Sequence, residues 1–243
     1  MTERRRADRL LVERGVFESR AKAQAAIAAG LVTASGVPIT KASDMIAEDA
    51  VVEATPEHPW VSRGGVKLAA ALDHLRIDPK GRVCLDIGAS TGGFSDVLLA
   101  RGAKRIYAVD VGRGQLHARL RGRPEIVSLE ETDIRALSPT LVIERPDLVV
   151  ADVSFISLKL VVPAIPPLVR DPTQLVALIK PQFEAGRAAL KKGVVRDAQI
   201  HQTVCDDIAA FITGLGWTVL GIIPSPLTGG DGNREFLIGA RRD

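Results

Sequence analysis

The sequence predicts an α/β protein: a doubly wound, mostly parallel sheet preceded by a small α+β unit. Two observations support the large unit. Apolar strand patterns alternate with helical patterns from Gly64 onward, and a glycine-rich turn at 86–94 joins a buried strand to a helix. A third observation supports the small unit, because residues 1–58 hold only short helical and strand patterns and many basic side chains.

Composition limits the class of protein. The chain has 243 residues, of which 46% are hydrophobic, so it can bury a full core. Two cysteines are too few for a disulfide framework. Residues 1–6 lack the apolar stretch of a secretory signal, and no run of eighteen apolar residues occurs, so we expect a cytoplasmic protein without membrane contact. The net charge of +3 is mild, so the distribution of basic residues matters more than their sum.

The small N-terminal unit begins with two predicted helices, 7–14 and 19–30. Ser19 is a typical N-cap, and Gly30 is a typical helix stop. Short strand patterns follow at 31–33, 37–39 and 51–53. The arginines and lysines of this unit either bind an anionic partner or form an ordinary solvated surface, since four acids are interspersed among them.

Prolines near residue 58 mark the predicted domain boundary. We expect the first domain at 1–58, a linker at 59–63 and the second domain at 64–243. In the second domain, helices are predicted at 66–75, 94–100 and 198–215, and strands at 82–86, 105–110, 126–129, 147–152, 174–179, 217–223 and 235–240. Only a loop separates the last two strands, so the final one is expected to run antiparallel.

The glycine-rich turn follows the first strand of the large domain directly. Its spacing is G-x-x-x-G-G at Gly88, Gly92 and Gly93, not the G-x-G-x-x-G of a dinucleotide-binding loop. Glycines allow the backbone to approach a bound group closely. Asp86 precedes the turn, and an acid there suits a ligand with positive charge or hydroxyl groups better than a phosphate. S-adenosylmethionine fits that description, although a purely structural turn is the alternative.

Ionisable side chains stand at the ends of four predicted strands: Asp86, Asp110, Asp152 and Lys180. Ligands of doubly wound sheets bind outside the carboxyl ends of the strands, so we expect these groups to share a site. Asp110 lies where an acid can hold ribose hydroxyls. Asp133, after the third strand, either lies beside an adenine or caps the short helix that follows it.

Other candidates are open to two interpretations. Lys180 is either a strand end that extends to solvent or a cation held in a cleft. The segment 185–193 after it has the composition of a lid or a substrate loop. Lys67 and Glu235 each stand near glycines, and taken singly each is an ordinary surface charge. Phe155 either stacks on a base or packs in the core.

The order lysine, aspartate, lysine, glutamate (Lys67, Asp152, Lys180, Glu235) resembles the K-D-K-E tetrad of FtsJ-like RNA 2′-O-methyltransferases. Longer motifs are similar to those of the TlyA family, historically labelled hemolysins, and residues 6–39 resemble its S4-type RNA-binding domain. These motifs are the 86–94 turn, Ser62-Arg63-Gly64-Gly65-x-Lys67-Leu68, Asp110-Val111-Gly112-x-Gly114-Gln115-Leu116, Asp152-x-Ser154-Phe155-Ile156-Ser157 and Lys180-Pro181-Gln182-Phe183-Glu184.

The resemblance implies a class I methyltransferase sheet that transfers a methyl group from S-adenosylmethionine to a cytidine 2′-hydroxyl of ribosomal RNA. The tetrad would be catalytic, with Lys180 as the proton acceptor, and no metal is expected. The cofactor-binding candidates are Asp86, Gly88, Ser90, Gly92, Gly93, Phe94, Asp110, Asp133 and Asp152. The RNA-binding candidates are Arg4, Arg6, Arg20, Lys22, Lys41 and Arg63.

The resemblance also bears on the partner. Longer family members carry a C-terminal extension and modify both ribosomal subunits. Because this sequence ends at Asp243, it favours 23S RNA in the 50S subunit, with 16S RNA in the 30S subunit as the alternative. A monomer is expected. Rival functions are a pore-forming hemolysin, a non-catalytic RNA-binding or ribosome assembly factor, a small-molecule methyltransferase and, least favoured by the turn spacing, a dehydrogenase.

Overall fold

The computed structural model describes residues 3–17, 19–55 and 58–243. The chain divides into two compact units, one ending at Pro59 and the other beginning at Trp60. The assignment of 59–63 as a linker remains a prediction.

The N-terminal unit contains both predicted helices and five short strands. Its elements are β1 Arg4–Arg6, α1 Ala7–Glu13, α2 Arg20–Ala28, β2 Val32–Ala34, β3 Val37–Pro38, β4 Met45–Ala47 and β5 Val52–Ala54. The Ser19 hydroxyl accepts the Lys22 N–H at 3.3 Å, as an N-cap does. The two helices pack around a small apolar core that includes Leu10, Leu11 and Ile27.

Sequence patterns missed two of these strands, β1 and β4. They pair antiparallel with each other, whereas β2 lies between β3 and β5 in a second small sheet. β1 consists of three arginines and therefore shows no apolar alternation. Pairing with β4 fixes this strand, which is a tertiary effect that a local pattern cannot reveal.

The C-terminal unit alternates helices and strands, as predicted. Its main elements are α3 Gly64–Leu75, β6 Val83–Ile87, α4 Gly93–Ala100, β7 Arg105–Val109, β8 Ile126–Leu129, β9 Leu148–Ala151, α5 Leu158–Val161, β10 Thr173–Ile179, α6 Pro181–Glu184, α7 Ala198–Gly214, β11 Thr218–Pro224 and β12 Phe236–Arg242. Short 3-10 helices occupy several of the connections.

The seven strands form one sheet in the order β8-β7-β6-β9-β10-β12-β11. The pairs from β6 to β10 are parallel, and β12 is antiparallel to both of its neighbours, which confirms the prediction for the last strand. The strand order reverses between β6 and β9. In doubly wound sheets a ligand cleft opens at this point, outside the carboxyl ends of the strands.

Both faces of the sheet are covered. Along β6, Leu85 and Ile87 face one apolar core, which α7 also lines through Ile208. Cys84 faces the other core, together with residues of α3 and α4 such as Leu98. Burial on both faces explains the continuous apolar runs in the sequence. The fold class predicted from the sequence is therefore confirmed.

Candidate active site

The turn after β6 brings its backbone against other parts of the protein. Gly88 has φ +80°, and a Cβ there would collide with the Asp152 carbonyl oxygen. A Cβ on Gly93 would collide with the Ser62 hydroxyl, and one on Gly92 with the Leu120 side chain. These glycines allow close packing of the turn against the end of β9, the Ser62 hydroxyl and the Leu120 side chain. Their role in the close approach of a ligand stays a prediction.

Asp110, directly after β7, fixes the shape of this turn. One of its oxygens accepts the Ser90 N–H at 2.7 Å, and the other accepts the Gly112 N–H at 2.7 Å. Ser90 is held with a positive φ of 47°, and its hydroxyl donates to the Gln115 side chain at 3.0 Å. Each carboxylate oxygen can accept more than one hydrogen bond, so Asp110 retains acceptor capacity for hydroxyl groups of a ligand.

A cavity of about 340 Å³ lies beside this turn, at the carboxyl ends of the strands. Gly88 and Ser90 line it, together with three of the predicted acids, Asp110, Asp133 and Asp152. Apolar side chains complete its walls, namely Ile87, Val109, Val111, Ile134, Val153, Phe155, Ile156 and Val161. This cavity lies at the strand-order reversal, and it combines an apolar body with several carboxylates.

Asp133 is the helix cap that one interpretation predicted, and its place beside an adenine stays a prediction. Its carboxylate caps the short helix after it by accepting the Arg135 N–H at 2.9 Å, and it also lines the cavity. The Arg135 guanidinium, 2.5 Å away, lowers the pKa of Asp133 to about 2. Asp133 is therefore ionised at neutral pH, and Arg135 uses part of its hydrogen-bonding capacity.

Asp86 lies within β6, beneath the turn, rather than in the lining of the cavity. It is fully buried and accepts a hydrogen bond from the Ser95 hydroxyl at 2.7 Å, while its Oδ1 has no partner among the described residues. Burial is the main cause that raises the pKa of Asp86 to about 7. A buried acceptor without a hydrogen-bond partner lowers the stability of the folded state. Its presence therefore indicates a role for Asp86 other than stabilising the fold.

Lys180, at the end of β10, bridges to the end of β9. Its ammonium lies 2.6 Å from Asp152 Oδ1 and donates to the Ser154 hydroxyl at 2.8 Å. Of the two interpretations for Lys180, the structure supports a cation held in a cleft. An ammonium has three donors, so one position of Lys180 Nζ is left for another group.

Lys67 and Glu235 form the second ion pair, 2.5 Å apart and almost completely buried. Lys67 comes from α3, and Glu235 directly precedes β12. A second cavity of about 190 Å³ is lined by Lys67, Asp152 and Lys180, and also by Gly88, Ser90, Gly93 and Phe94. The four tetrad residues, distant in sequence, are thus brought together next to the 340 Å³ cavity, with Glu235 linked through Lys67.

Of the cofactor-binding candidates at 86–94, Asp86 and Gly92 line neither cavity, and Phe94 is buried in the core but also lines the smaller one. Phe155 is 91% exposed, so the core-packing interpretation is wrong. It has a left-handed φ of 64°, its ring centroid lies 5.1 Å from that of Phe183, and it lines the larger cavity. A bulky residue held in that region is strained, which occurs mostly at functional sites.

The basic candidates of the N-terminal unit are largely occupied by their own chain. Arg6 and Arg20 both bind the buried Asp8, at 3.1 and 2.7 Å, and Arg4 donates to the Met45 carbonyl. Lys22 interacts with its own chain, and its backbone N–H donates to the Ser19 hydroxyl that caps α2. The Lys41 side chain is exposed. In the other unit, Arg63 is exposed and donates to the Thr228 carbonyl at 3.1 Å. Arg6 and Arg20 therefore have a structural duty that the sequence did not indicate.

Sequence reasoning missed several polar side chains that hold the loops around the cavities. Glu184 accepts hydrogen bonds from Ser157 at 2.5 Å and from the Leu158 N–H at 2.8 Å, so it caps α5 from another element. Glu130 accepts three backbone N–H groups, from residues 114, 115 and 116. Glu130 directly follows β8, the same signal that drew attention to Asp110, so the pattern could have revealed it.

Comparison with known proteins agrees with this geometry. A family model described as FtsJ-like methyltransferase matches residues 60–242, and one described as S4 domain matches residues 5–52. The fold and site therefore define a methyltransferase whose S4 domain precedes the catalytic domain in sequence. A solved methyltransferase from Mesorhizobium loti, described as S-adenosylmethionine dependent, shares the fold at 17% identity (TM-score 0.51; 71% of this chain and 96% of that one).

Closer relatives cover both units. The chain is 43% identical to the 16S/23S rRNA (cytidine-2′-O)-methyltransferase TlyA of Mycobacterium tuberculosis over 99% of its own length and 91% of the relative. It is 38% identical to Hemolysin A of Brachyspira hyodysenteriae, over 96% and 98% of the two chains. A solved structure, "Putative hemolysin from Streptococcus thermophilus", matches at 39% identity with a TM-score of 0.78, over 100% and 90%. The chain belongs to the TlyA family of S4-domain, FtsJ-like methyltransferases.

Proposed function

We propose that this protein transfers a methyl group from S-adenosylmethionine to the 2′-hydroxyl of a cytidine in ribosomal RNA. One observation carries the proposal. Lys67, Asp152 and Lys180 line one cavity, Glu235 is paired with Lys67, and the adjoining cavity is lined by carboxylates and apolar groups. The methyltransferase family supports the use of this cofactor, and the names of the relatives support the substrate.

The larger cavity suits S-adenosylmethionine better than a phosphate-bearing cofactor. Three carboxylates line it, and they would repel phosphate groups but favour hydroxyls and positive charge. Asp110 would accept the ribose hydroxyls and Asp133 would lie by the adenine, while the backbone at Gly88 and Ser90 and the Asp152 carboxylate complete the holding groups. Asp86 would act beneath the turn through its unpartnered oxygen.

The bound cofactor supplies an activated methyl group, and the tetrad handles the hydroxyl. A ribose hydroxyl is a weak nucleophile at neutral pH, so it needs orientation and a proton acceptor. Lys180 would accept the proton as the neutral amine, after its ammonium has released a proton to solvent: its N–H groups would face Asp152 and Ser154, and its lone pair would take the hydroxyl proton. Orientation of the reactants can supply about 7–11 kcal/mol of the barrier, and a proton acceptor about 10²–10⁴-fold in rate.

Phe155 and Phe183 extend this proposal to the target base. Phe155 lines the larger cavity and is almost fully exposed, and its ring forms a pair with that of Phe183. Enzymes that act on single nucleotides take the base out of its stack and hold it against aromatic side chains. We assign this stacking role to Phe155.

The names of the relatives bear on the choice of ribosomal subunit. The Mycobacterium relative is named for both 16S and 23S RNA, whereas a Campylobacter jejuni relative, 38% identical over 73% of this chain and 69% of its own, is named for 23S RNA alone. We propose 23S RNA in the 50S subunit as the main substrate, with 16S RNA in the 30S subunit second. A monomeric, cytoplasmic enzyme without a metal is part of the same proposal.

The test is methyl transfer to purified subunits. The full chain is incubated with labelled S-adenosylmethionine and either 50S or 30S subunits that lack the modification, and the RNA is digested to nucleosides. We expect 2′-O-methylcytidine from 50S subunits. Label on a base, or none on either subunit, would contradict the proposal.

Two alternatives have separate readouts. The name Hemolysin A of one relative supports a pore-forming protein, which lysis of red cells by the purified chain would reveal. Among the described residues, no helix is long and apolar enough to cross a membrane. A non-catalytic assembly factor would bind ribosomal subunits without transferring label.

A further inference from the structure

A tight turn outside the tetrad presents two lysines. Residues 191–194 close it with paired backbone hydrogen bonds of 3.0 and 3.2 Å. Its central residues, Lys192 and Gly193, have φ of +54° and +79°, which is the pattern of a type I′ turn. Asn-Gly is the preferred pair there, because asparagine tolerates the left-handed region better than lysine does. A cation therefore stands where asparagine would be less strained.

Buried polar side chains hold this turn in place. Asn233 accepts the Val195 N–H and donates to the Gly193 carbonyl, both at 3.2 Å. The ring Nε2 of His201 lies 3.0 Å from the Val195 carbonyl oxygen. Asn233 and His201 are only 3% and 4% exposed. The turn at 191–194 is therefore fixed to the interior of the domain.

The anchor places the turn close to the tetrad. Asn233 precedes Glu235 by two residues, a span of at most about 7 Å. Glu235 in turn pairs with Lys67 at the smaller cavity. The loop that carries Asn233 is itself closed by a 2.8 Å hydrogen bond from the Gly229 N–H to the Asn233 carbonyl. The exposed lysines are thus linked to the catalytic end of the sheet through a short, hydrogen-bonded path.

Four exposed cations surround this path: Lys191, Lys192, Arg196 and Arg234. Within residues 3–17, 19–55 and 58–243, none of the four forms an ion pair or a side-chain hydrogen bond with a carboxylate. The nearby Asp197 caps α7 by accepting the Gln199 N–H at 2.8 Å, and among the described residues it forms no ion pair with Arg196. Unpaired, exposed cations on a fixed loop are available to an anionic partner.

We propose that Lys191, Lys192, Arg196 and Arg234 form a basic rim that binds phosphate groups of the RNA strand entering the active site. The proposal rests on the proposed function. A ribose hydroxyl in the smaller cavity brings the phosphates on either side of that ribose to the cavity entrance, and a strand carries one negative charge per nucleotide. The rim supplies matching cations without reading sequence.

The test separates charge from turn structure. In the variant Lys191→Gln/Lys192→Asn, two charges are removed while asparagine keeps the left-handed position of residue 192 favourable. The matched control is Arg76→Asn/Lys80→Gln. Arg76 is also an exposed cation with left-handed φ (+55°). Both residues precede β6, at the amino ends of the parallel strands, whereas the cavities lie at the carboxyl ends.

Two measurements are made with the full chain. Binding of a single-stranded oligoribonucleotide is followed by fluorescence anisotropy over a range of salt, and methylation of 50S subunits is followed at varied subunit concentration. We expect the rim variant to bind about tenfold more weakly, with a salt slope lower by about 1.4, since each phosphate contact on a single strand contributes about 0.7. The KM for subunits should rise about tenfold, and the Kd for S-adenosylmethionine should match that of the control.

Each other outcome is decisive. A rim variant that binds and methylates like the control, while the parent protein is active, would overturn the rim alone. A parent protein that methylates neither subunit would overturn the proposed function, and the rim with it. Equal losses in the rim variant and in the control would show a general effect of charge and would contradict a localised rim.

Discussion

Ion pairs serve different purposes in the two units. In the N-terminal unit, the carboxylate of Asp8 is completely buried and receives Arg6, Arg20 and the Gln24 amide. In the catalytic unit, each carboxylate of the tetrad receives one lysine: Asp152 pairs with Lys180, and Glu235 with Lys67. The first arrangement uses up the acceptor capacity of its acid, whereas the second lines a cavity with groups that retain free positions.

We propose that the difference separates charges that hold the fold from charges that act on a ligand. A buried charge is expensive unless it is paired, and removal of one partner is strongly destabilising. Asp8 fastens α1 to α2 through two donors, Arg20 and Gln24, and to β1 through Arg6, so its role is complete within the chain. The tetrad pairs keep two ammonium groups in a small cavity, which is useful when a proton or hydroxyl must be handled there. Substitutions in the two units should therefore fail in different ways.

The largest effect is expected at Lys180. The variant Lys180→Ala removes the group assigned as proton acceptor, so methyl transfer should fall by at least about 10³-fold. Asp152 remains partly exposed to water, so the folded state should lose little stability. Transfer of labelled methyl to 50S subunits and calorimetric titration with S-adenosylmethionine measure the two effects. The control is Lys159→Ala, at an exposed lysine of α5.

If Lys180→Ala still transferred methyl groups, Lys180 would not be the proton acceptor, and the proposed contrast between the ion pairs of the two units would be lost. If the variant bound cofactor normally but transferred no methyl group, the contrast would be supported.

The next effect is expected at Asp8. The variant Asp8→Asn removes the charge that holds Arg6 and Arg20, and should destabilise the N-terminal unit by about 2–3 kcal/mol. Those arginines lower the pKa of Asp8, so its contribution is present above its unfolded value near 3.8 and is lost as the pH falls below it. Denaturant unfolding at pH 7 and pH 3 measures this, and the gap between variant and parent should narrow in acid.

The affinity of Asp8→Asn for S-adenosylmethionine should equal that of the parent, because the cofactor cavity belongs to the other unit. Loss of cofactor binding in this variant would break the separation between the two kinds of ion pair.

For Asp86, the effect of the carboxylate on stability and its proposed effect on cofactor binding have opposite signs. Burial raises its pKa to about 7, so the folded protein holds a proton that the unfolded chain releases. Stability therefore falls as the pH rises from about 4 to 7 and stays low above it. The variant Asp86→Asn keeps an acceptor for Ser95 and should be more stable than the parent at pH 8, on the order of 1–4 kcal/mol, with no gain at pH 4.

If the Asp86 carboxylate is kept for the cofactor, the more stable variant should bind S-adenosylmethionine at least tenfold more weakly. Thermal unfolding at pH 4 and pH 8 and calorimetric titration give the two numbers. If Asp86→Asn were more stable and still bound S-adenosylmethionine normally, Asp86 would belong neither to the charges that hold the fold nor to the charges that act on a ligand.

The sequence predicted the sheet well because its strands are buried on both faces. The continuous apolar runs that became β6, β9 and β10 are a strong local signal, and the loop between β11 and β12 correctly indicated an antiparallel last strand. β1 and β4 escaped because neither has apolar alternation and each is stabilised by the other. Local patterns report burial, and they do not report pairing.

The site was predictable in part for a similar reason. Strand ends in a doubly wound sheet converge by topology, so Asp110, Asp152 and Lys180 could be placed together from the sequence. The partners of individual charges could not. Whether Arg6 faces RNA or Asp8, and whether Phe155 is buried or exposed, depends on side-chain directions that only the folded chain fixes.

The smallest effect compares two arginines at the start of the N-terminal unit. Arg6 binds Asp8, whereas Arg9 is exposed and has no side-chain partner among the residues that the structure describes. Arg9→Gln should leave the unfolding free energy unchanged and weaken binding to 50S subunits about threefold, with a salt slope lower by about 1, as expected for one lost phosphate contact. Arg6→Gln should instead lower stability, because it leaves Asp8 with one fewer charged donor. Denaturant unfolding and filter binding over a range of salt compare the two variants directly. If Arg6→Gln weakened binding with no loss of stability, Arg6 would belong with the charges that act on a ligand, and the distinction between the two units would need to be drawn within the N-terminal unit as well.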